Sequence, residues 1–393
     1  MTREQVTNNI LSLNSNNILA LLPTGYGKTR IAIEKMKQWL PEPNISTKIL
    51  IVVPRLVLID NWKEEFKKWK CDEYLNYVTF ITYVSFPKTI DVYNTVIFDE
   101  AHHLSDRCIE ALDKYKIEHS ILLSATVNRD CMWKLQQAFP KLFTFKISVK
   151  QAIKDEVLPD PKVYLIPMSL DNTKLNYEII KNKSQKITIE APYTERFKYL
   201  KIKNRRIVLK CTQYQYYNDI SNQIEYYKRK TFNEIFKNRY LRLSGARLKW
   251  LSKEKTLFIH TLLDQLKGYR TLTFCSSIEQ TEQLGKHCIH SNNKLAQELL
   301  VAFNKKNINH ITCVDMLNEG MNLNDCQIGI YASLHSSQRL ISQQLGRLLR
   351  HPNPILIIPY FAHTRDEEII NKMLEDYNPE LVTTITHLKE LTL

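Results

Sequence analysis

No uninterrupted apolar run among the 393 residues approaches the ~20 that a membrane-crossing helix needs. The opening stretch, MTREQVTNNI, lacks the apolar core of a secretory signal. A soluble intracellular protein with no membrane contact is therefore expected. Cys-x-x-Cys pairs and histidine clusters at metal-ligand spacing are also absent. The eight cysteines, from Cys71 to Cys326, stand singly, as free thiols in a reducing compartment would. Acidic residues are in deficit, with 41 Asp and Glu against 55 Lys and Arg, a formal net charge of +14. The surplus cations must lie largely on the surface, where they suit a polyanion such as nucleic acid; the plainer alternative is that they only keep the chain soluble.

What is present reads as globular, with length for two or three domains. Short apolar runs, NNILALL, KILIVVP, VTFITYVSF, TVIFDE and SILLSAT, alternate with amphipathic segments, the pattern of a parallel sheet covered by helices. In LIDNWKEEFKKWK, Ile59, Trp62, Phe66 and Trp69 recur at helical spacing, so the tryptophans are expected in the core. A second series of the same kind begins near residue 256 and runs through RTLTFCS, HITCV, QIGIYAS and PILIIPYF. The expected organisation is a first α/β domain over 1–167, a basic, aromatic-rich segment over 168–254, and a second α/β domain over 255–393.

The middle segment shows no repeat or low-complexity tract. Its rings and cations interleave, as in EYYKRKTFNEIFKNRYLRLSGARLKW, which would suit a sequence-tolerant grip on single strands. Yet Tyr217, Ile220, Ile224 and Tyr227, and then Phe232, Ile235, Phe236 and Tyr240, recur at three- and four-residue spacing. Half of the rings are therefore assigned to the core of a helical pair. Lys228, Arg229, Lys230, Arg239, Arg242 and Arg247 are expected to form its basic, nucleic-acid-facing side.

The chemistry concentrates in LLPTGYGKTR. After an apolar strand, Pro23, Thr24, Gly25, Tyr26, Gly27, Lys28 and Thr29 form a glycine-bearing loop that opens a helix, the tail of a phosphate-binding loop. Backbone N–H groups would wrap phosphates, Lys28 would neutralise them and the Thr29 hydroxyl would ligate Mg²⁺. The first position of the usual pattern is Leu22 rather than glycine. About seventy residues on, VIFDEAHHLSD delivers Asp99 and Glu100 at the end of a strand, Asp99 for the metal and Glu100 for the attacking water. Either piece alone also fits a plain turn or helix start; together they are far more specific.

With these motifs the chain resembles the superfamily 2 helicases and translocases, in the DEAH-box group that includes the XPB-like and type I restriction motor proteins. The resemblance implies two tandem RecA-like domains around ATP and Mg²⁺, with a basic, largely helical segment between them. VVPRLVLIDNW, with Pro54 and Arg55, and TYVSF, with Thr82, look like motifs that grip the nucleic-acid backbone. LLSAT, with Ser124 and Thr126, looks like the segment that couples hydrolysis to domain movement, in concert with His102. Gln5, in a shortened TREQ, stands where the family cradles adenine. In the second domain Ser276 and Ser277 match a strand-contacting loop, Gly320 and Asn322 a nucleotide-facing motif in which Asn322 replaces the usual acid. Gln343, Arg347 and Arg350 reproduce Q-x-x-G-R-x-x-R, an arginine finger across the cleft.

The expected function is an ATP-dependent helicase or translocase on nucleic acid, DNA favoured over RNA, moving 3′ to 5′ as a monomer, with a protein partner for targeting. The alternative is a nucleic-acid-stimulated clamp, remodeller or annealing factor that does not unwind. A small-molecule kinase would share the loop but not DEAH, SAT and QQLGRLLR in this order.

Overall fold

The computed structural model describes every residue except 90, 183–200, 204–205, 315–322, 324, 335–347, 349–350, 376 and 393. In the first unit β1 (Asn17–Leu21), β2 (Ile49–Val53), β3 (Val78–Thr82), β4 (Val92–Asp99), β5 (Lys116–Ser124) and β6 (Phe143–Lys146) pair in parallel in the order β3-β2-β4-β5-β1-β6. Every residue of β2 is buried, as are the last four of β1. A run apolar on both faces suits only a strand with helices above and below it. Each such Ile, Leu or Val contributes about 1.5–3 kcal/mol by leaving water.

Helices α1 (Arg3–Leu11), α2 (Lys28–Trp39), α3 (Leu58–Lys68), α4 (Asp106–Leu112), α5 (Arg129–Ala138) and α6 (Val149–Lys154) complete this unit. The expected stripe of α3 is observed, with Trp62 and Phe66 buried and Ile59 and Trp69 packed beside them. A buried lysine ties α1 to α2. Lys35 donates to the Leu11 and Leu13 carbonyls and to Gln38 Oε1, each at 2.9 Å, so the ammonium keeps its hydrogen bonds inside the fold.

The second sheet takes a strand from the first part of the chain. After β7 (Lys162–Met168), the strands β8 (Tyr177–Asn182), β9 (Lys201–Lys203) and β10 (Arg206–Cys211) form a small antiparallel sheet in the order β8-β10-β9. Then β11 (Thr271–Phe274), β12 (Cys288–Ile289), β13 (His310–Cys313), β14 (Ile328–Tyr331), β15 (Ile355–Phe361) and β16 (Val382–Thr384) follow. All pairs of the larger sheet are parallel, in the order β12-β13-β11-β14-β15-β7-β16. Expecting 1–167 in one unit therefore misplaces β7. Its apolar run announces a central parallel strand, but the sheet that receives it depends on pairing with residues nearly two hundred positions away.

The middle segment is less uniformly helical than expected, since β8, β9 and β10 precede its two helices, Gln213–Lys228 and Glu234–Glu254. Those helices form an antiparallel hairpin seated on the second unit. Ser252 Oγ donates to the Ala332 carbonyl (2.9 Å) and to Gln280 Oε1 (2.7 Å), whose amide returns a bond to the Ser252 carbonyl (2.6 Å). Lys255, fully buried just beyond the hairpin, pairs with Asp366 at 2.7 Å. The Tyr217 hydroxyl accepts from the Arg365 backbone N–H at 2.7 Å. Near this base Tyr217, Ile220 and Ile224 are buried as expected. Phe232 and Ile235, which share the same spacing, are not: both lie at the far turn and are largely exposed, so Phe232 falls among the rings outside the core.

Candidate active site

Three loops leave the carboxyl ends of neighbouring strands at one level. β1, β5 and β4 are adjacent, with Leu21 beside Ser124 and Leu123 beside Asp99. In a parallel sheet this rim is where ligands are held.

The loop after β1 bends through Gly25 at φ +87° and Gly27 at φ +93°, left-handed backbone in which a Cβ is strained. A Cβ on Gly27 would meet nothing within 4 Å, so glycine is needed there for conformation, not for space. Gly27 is also the residue before α2 and offers no side chain to cap it. The first-turn N–H groups of α2 are thus left for an anion. The Tyr26 side chain, expected beside the nucleotide, is buried in the core, and its hydroxyl carries no hydrogen bond. Burial, with Asp155 as a lesser cause, raises its pKa. The Tyr26 backbone N–H donates to the Pro23 carbonyl at 3.2 Å. Lys28 holds its ammonium 3.4 Å from the Leu22 carbonyl and 3.5 Å from Glu100 Oε1, both long contacts.

Asp99 ends β4 and is anchored twice. Its Oδ2 accepts from the Trp62 indole N–H at 2.9 Å, and its carbonyl accepts from the Tyr83 hydroxyl at 2.8 Å. Burial and the adjacent Glu100 carboxylate push Asp99 up to about 6, against the opposing pull of Trp62 and Lys28. Trp62 does lie in the core, but core packing is only half of its role. The signal was legible: an indole N–H inside an apolar stripe needs an acceptor. Tyr83 was missed for the same reason, its hydroxyl being a buried donor within TYVSF.

Glu100 takes φ +52°, a left-handed conformation that costs a non-glycine residue and recurs at functional sites. This turns its carboxylate back toward Lys28. His102 Nδ1 lies 3.0 Å from Ser124 Oγ, and Ser124 donates its own hydrogen to the Thr126 carbonyl at 2.9 Å. Ser124 therefore accepts, and Nδ1 carries the proton. Although Nδ1 is 3.4 Å from Glu100 Oε2, the proton is spent on Ser124, and Oε2 is buried without a hydrogen bond. Thr24 Oγ1 is buried and unbonded as well.

This donor set fits a magnesium nucleotide. Open amides and an ammonium meet phosphates, while a crowded pair of carboxylates and the Thr29 hydroxyl offer hard oxygens. Among the described residues no three His, Cys, Asp or Glu side chains gather as a metal cage.

Other expected residues are distributed around this centre. Pro54 and Arg55 follow β2 and Thr82 ends β3, adjacent strands in which Val53 pairs with Thr82, so the three share one rim. Thr82 Oγ1 lies 3.4 Å from Ser85 Oγ. Ser277 caps the helix Ile278–Leu284, accepting from Gln280 N–H at 3.2 Å, and the Ser276 backbone N–H donates to Gln280 Oε1 at 3.1 Å. Gln5 is exposed, and its Oε1 accepts from Thr2 N–H at 2.8 Å in a capping box, which leaves its amide N–H₂ as the end a purine would meet. On the hairpin Lys228, Arg229, Arg239 and Arg242 are exposed, whereas Lys230 and Arg247 are partly buried. Arg247 turns inward, donating to Ser221 Oγ at 3.0 Å. Gly320, Asn322, Gln343, Arg347 and Arg350 lie outside the described residues.

Comparison with known proteins agrees with this geometry. Residues 2–129 match the family described as type III restriction enzyme, res subunit, and residues 254–352 match the helicase conserved C-terminal domain. The DNA 3′-5′ translocase XPB2 of Sulfurisphaera tokodaii is 22% identical over 383 residues, covering 91% of this chain and 79% of that protein. The Pyrococcus furiosus Hef helicase domain superposes with a TM-score of 0.51 at 14% identity, over 94% of this chain and 97% of that one. S. cerevisiae Dbp5 bound to RNA and ADP BeF3 gives 0.57 at 11% identity, over 98% and 89%. These structural likenesses speak for the fold, two RecA-like units. With both halves matched in order and the XPB2 similarity running through them, the chain belongs to the superfamily 2 helicases and translocases and is XPB-like.

Proposed function

We propose that this protein is an ATP-dependent translocase on nucleic acid, with DNA as its preferred track and 3′ to 5′ as its direction. The observation that carries the reading is the approach of Lys28 to Glu100 at 3.5 Å, which joins the loop of β1 to the end of β4. The 3′-5′ DNA translocase among its relatives supports the track and the direction.

Bound ATP and Mg²⁺ supply the phosphoanhydride whose cleavage drives the cycle. The loop N–H groups and Lys28 would orient the terminal phosphates, and Thr29 and Asp99 would hold the cation. Glu100 would orient a water and accept its proton, a role supported by its Oε2, which is buried and free of hydrogen bonds. Arg347 and Arg350 supply positive charge from the second unit. His102, joined to Ser124, links the state of Glu100 to β5 and so to the loop at Thr126. Pro54, Arg55, Thr82, Ser276 and Ser277 contact the strand on the rims of the two sheets.

Steady-state ATPase without nucleic acid, then with single- and double-stranded DNA and RNA, tests this. Stimulation is expected, greatest with single-stranded DNA; no stimulation by any polymer would refute the motor. Trp62→Phe keeps the ring and removes the donor to Asp99. It should raise the Mg²⁺ concentration for half-maximal ATPase roughly three- to tenfold, the value of one hydrogen bond to a charged group. An unchanged Mg²⁺ requirement with a lowered melting temperature would return Trp62 to a packing role alone.

A further inference from the structure

The helical hairpin ends in a feature that ATP chemistry does not use. From Glu225 to Arg242 no residue is buried. This stretch carries six cations against two carboxylates. At its turn Phe232 is 88% exposed and Ile235 76%, with Tyr226 half exposed nearby. Scattered apolar residues on a surface need no explanation, but large ones gathered on a projecting, cationic turn are a different case.

The turn is also stiff. Lys230 N–H donates to the Tyr227 carbonyl at 3.0 Å, Asn233 N–H to the Lys230 carbonyl at 3.1 Å, and Thr231 Oγ1 to the Lys228 carbonyl at 3.2 Å. Asn233 then caps the second helix by accepting from Ile235 N–H at 2.9 Å. Inside the turn Lys230 lies 4.0 Å above the Tyr226 ring and bonds its hydroxyl at 2.7 Å, while the Tyr227 and Phe236 rings meet at 5.8 Å. Phe232 is thus presented outward by a braced backbone. The opposite end of the hairpin is fastened to the second RecA-like unit through Ser252, Lys255 and Tyr217.

We propose that this turn is a strand-separating wedge: Phe232, flanked by Ile235, meets the last base pair at a junction between single and double strand, giving the motor an unwinding activity. The proposal rests on the translocase reading. An aromatic face on the terminal base replaces part of the stacking lost when the pair opens. Lys228, Arg229 and Arg239, exposed around the turn, complement the phosphates of the parting strands. The occupant is therefore a polyanion with exposed base faces.

The test uses the full chain on forked DNA and on forked RNA with single-stranded tails of either polarity. Strand separation is measured beside two readouts that need no wedge: single-strand-stimulated ATPase, and displacement of streptavidin from a biotin-ended single strand. Phe232→Ala is expected to slow separation by roughly tenfold or more, about the worth of one base–aromatic stack. ATPase and streptavidin displacement should stay near the unmodified values, and Phe232→Trp should restore separation. Equal unwinding by Phe232→Ala overturns the wedge, as does an unmodified protein that displaces streptavidin but opens no fork, or a variant whose only change is loss of self-association or of vesicle binding. If the unmodified protein neither displaces streptavidin nor shows stimulated ATPase, the translocase reading fails, and the wedge with it.

Discussion

Glu100→Gln should lower nucleic-acid-stimulated ATP hydrolysis by roughly 10³-fold, the scale of a lost general base in an enclosed site, while ATP binding survives. The substitution keeps the side chain's length and its left-handed backbone. It removes the proton acceptor at Oε2, the oxygen that His102 approaches without satisfying. It also removes a negative charge 3.5 Å from Lys28, so nucleotide affinity is expected to stay level or rise. Turnover measured beside binding of a fluorescent ATP analogue separates the outcomes. Retained turnover would mean that another group activates the water; lost binding would mean that Glu100 mainly holds Lys28 in place.

Arg350→Ala should reduce turnover by a comparable or larger factor, roughly 10³ or more for an arginine finger, and again spare binding. In the proposed site Lys28 and the loop amides would meet the phosphates from one side only. Charge that develops on the transferred group needs a counter-charge from the other unit. Arg350 is outside the described residues, but Leu348, two positions earlier, is fully buried, and a Cβ on Gly329 of β14 would collide with its side chain. A bare glycine in a buried strand therefore makes room for the Leu348 side chain. Single-turnover hydrolysis with saturating ATP reads the effect; if binding collapses as well, the residue is structural.

The layout of strands and loops in the first unit was largely legible in the sequence because each part is local. Pro-Thr-Gly-Tyr-Gly-Lys-Thr needs only its own backbone to build a phosphate loop, and VIFDE carries its acids to a strand end by its own apolar run. The second series of apolar runs likewise announced a second sheet. Less legible was which side chain supports which. Trp62 read as packing and Tyr83 was not singled out, yet they converge on Asp99 from α3 and from the turn after β3. That convergence requires β2, β3 and β4 to be aligned first.

By itself the sequence determined the strand runs, the glycine-bearing loop, the paired acids and the excess of positive charge, since these follow from composition and short-range spacing. Only the tertiary structure decided that β7 crosses into the second sheet, that Tyr26 points into the core, that the basic hairpin is fastened to the second unit and that Phe232 stands uncovered at its turn. Helical periodicity says which residues share a face. Whether anything packs on that face depends on elements far away in the chain, and here the turn of the hairpin leaves Phe232 and Ile235 largely exposed.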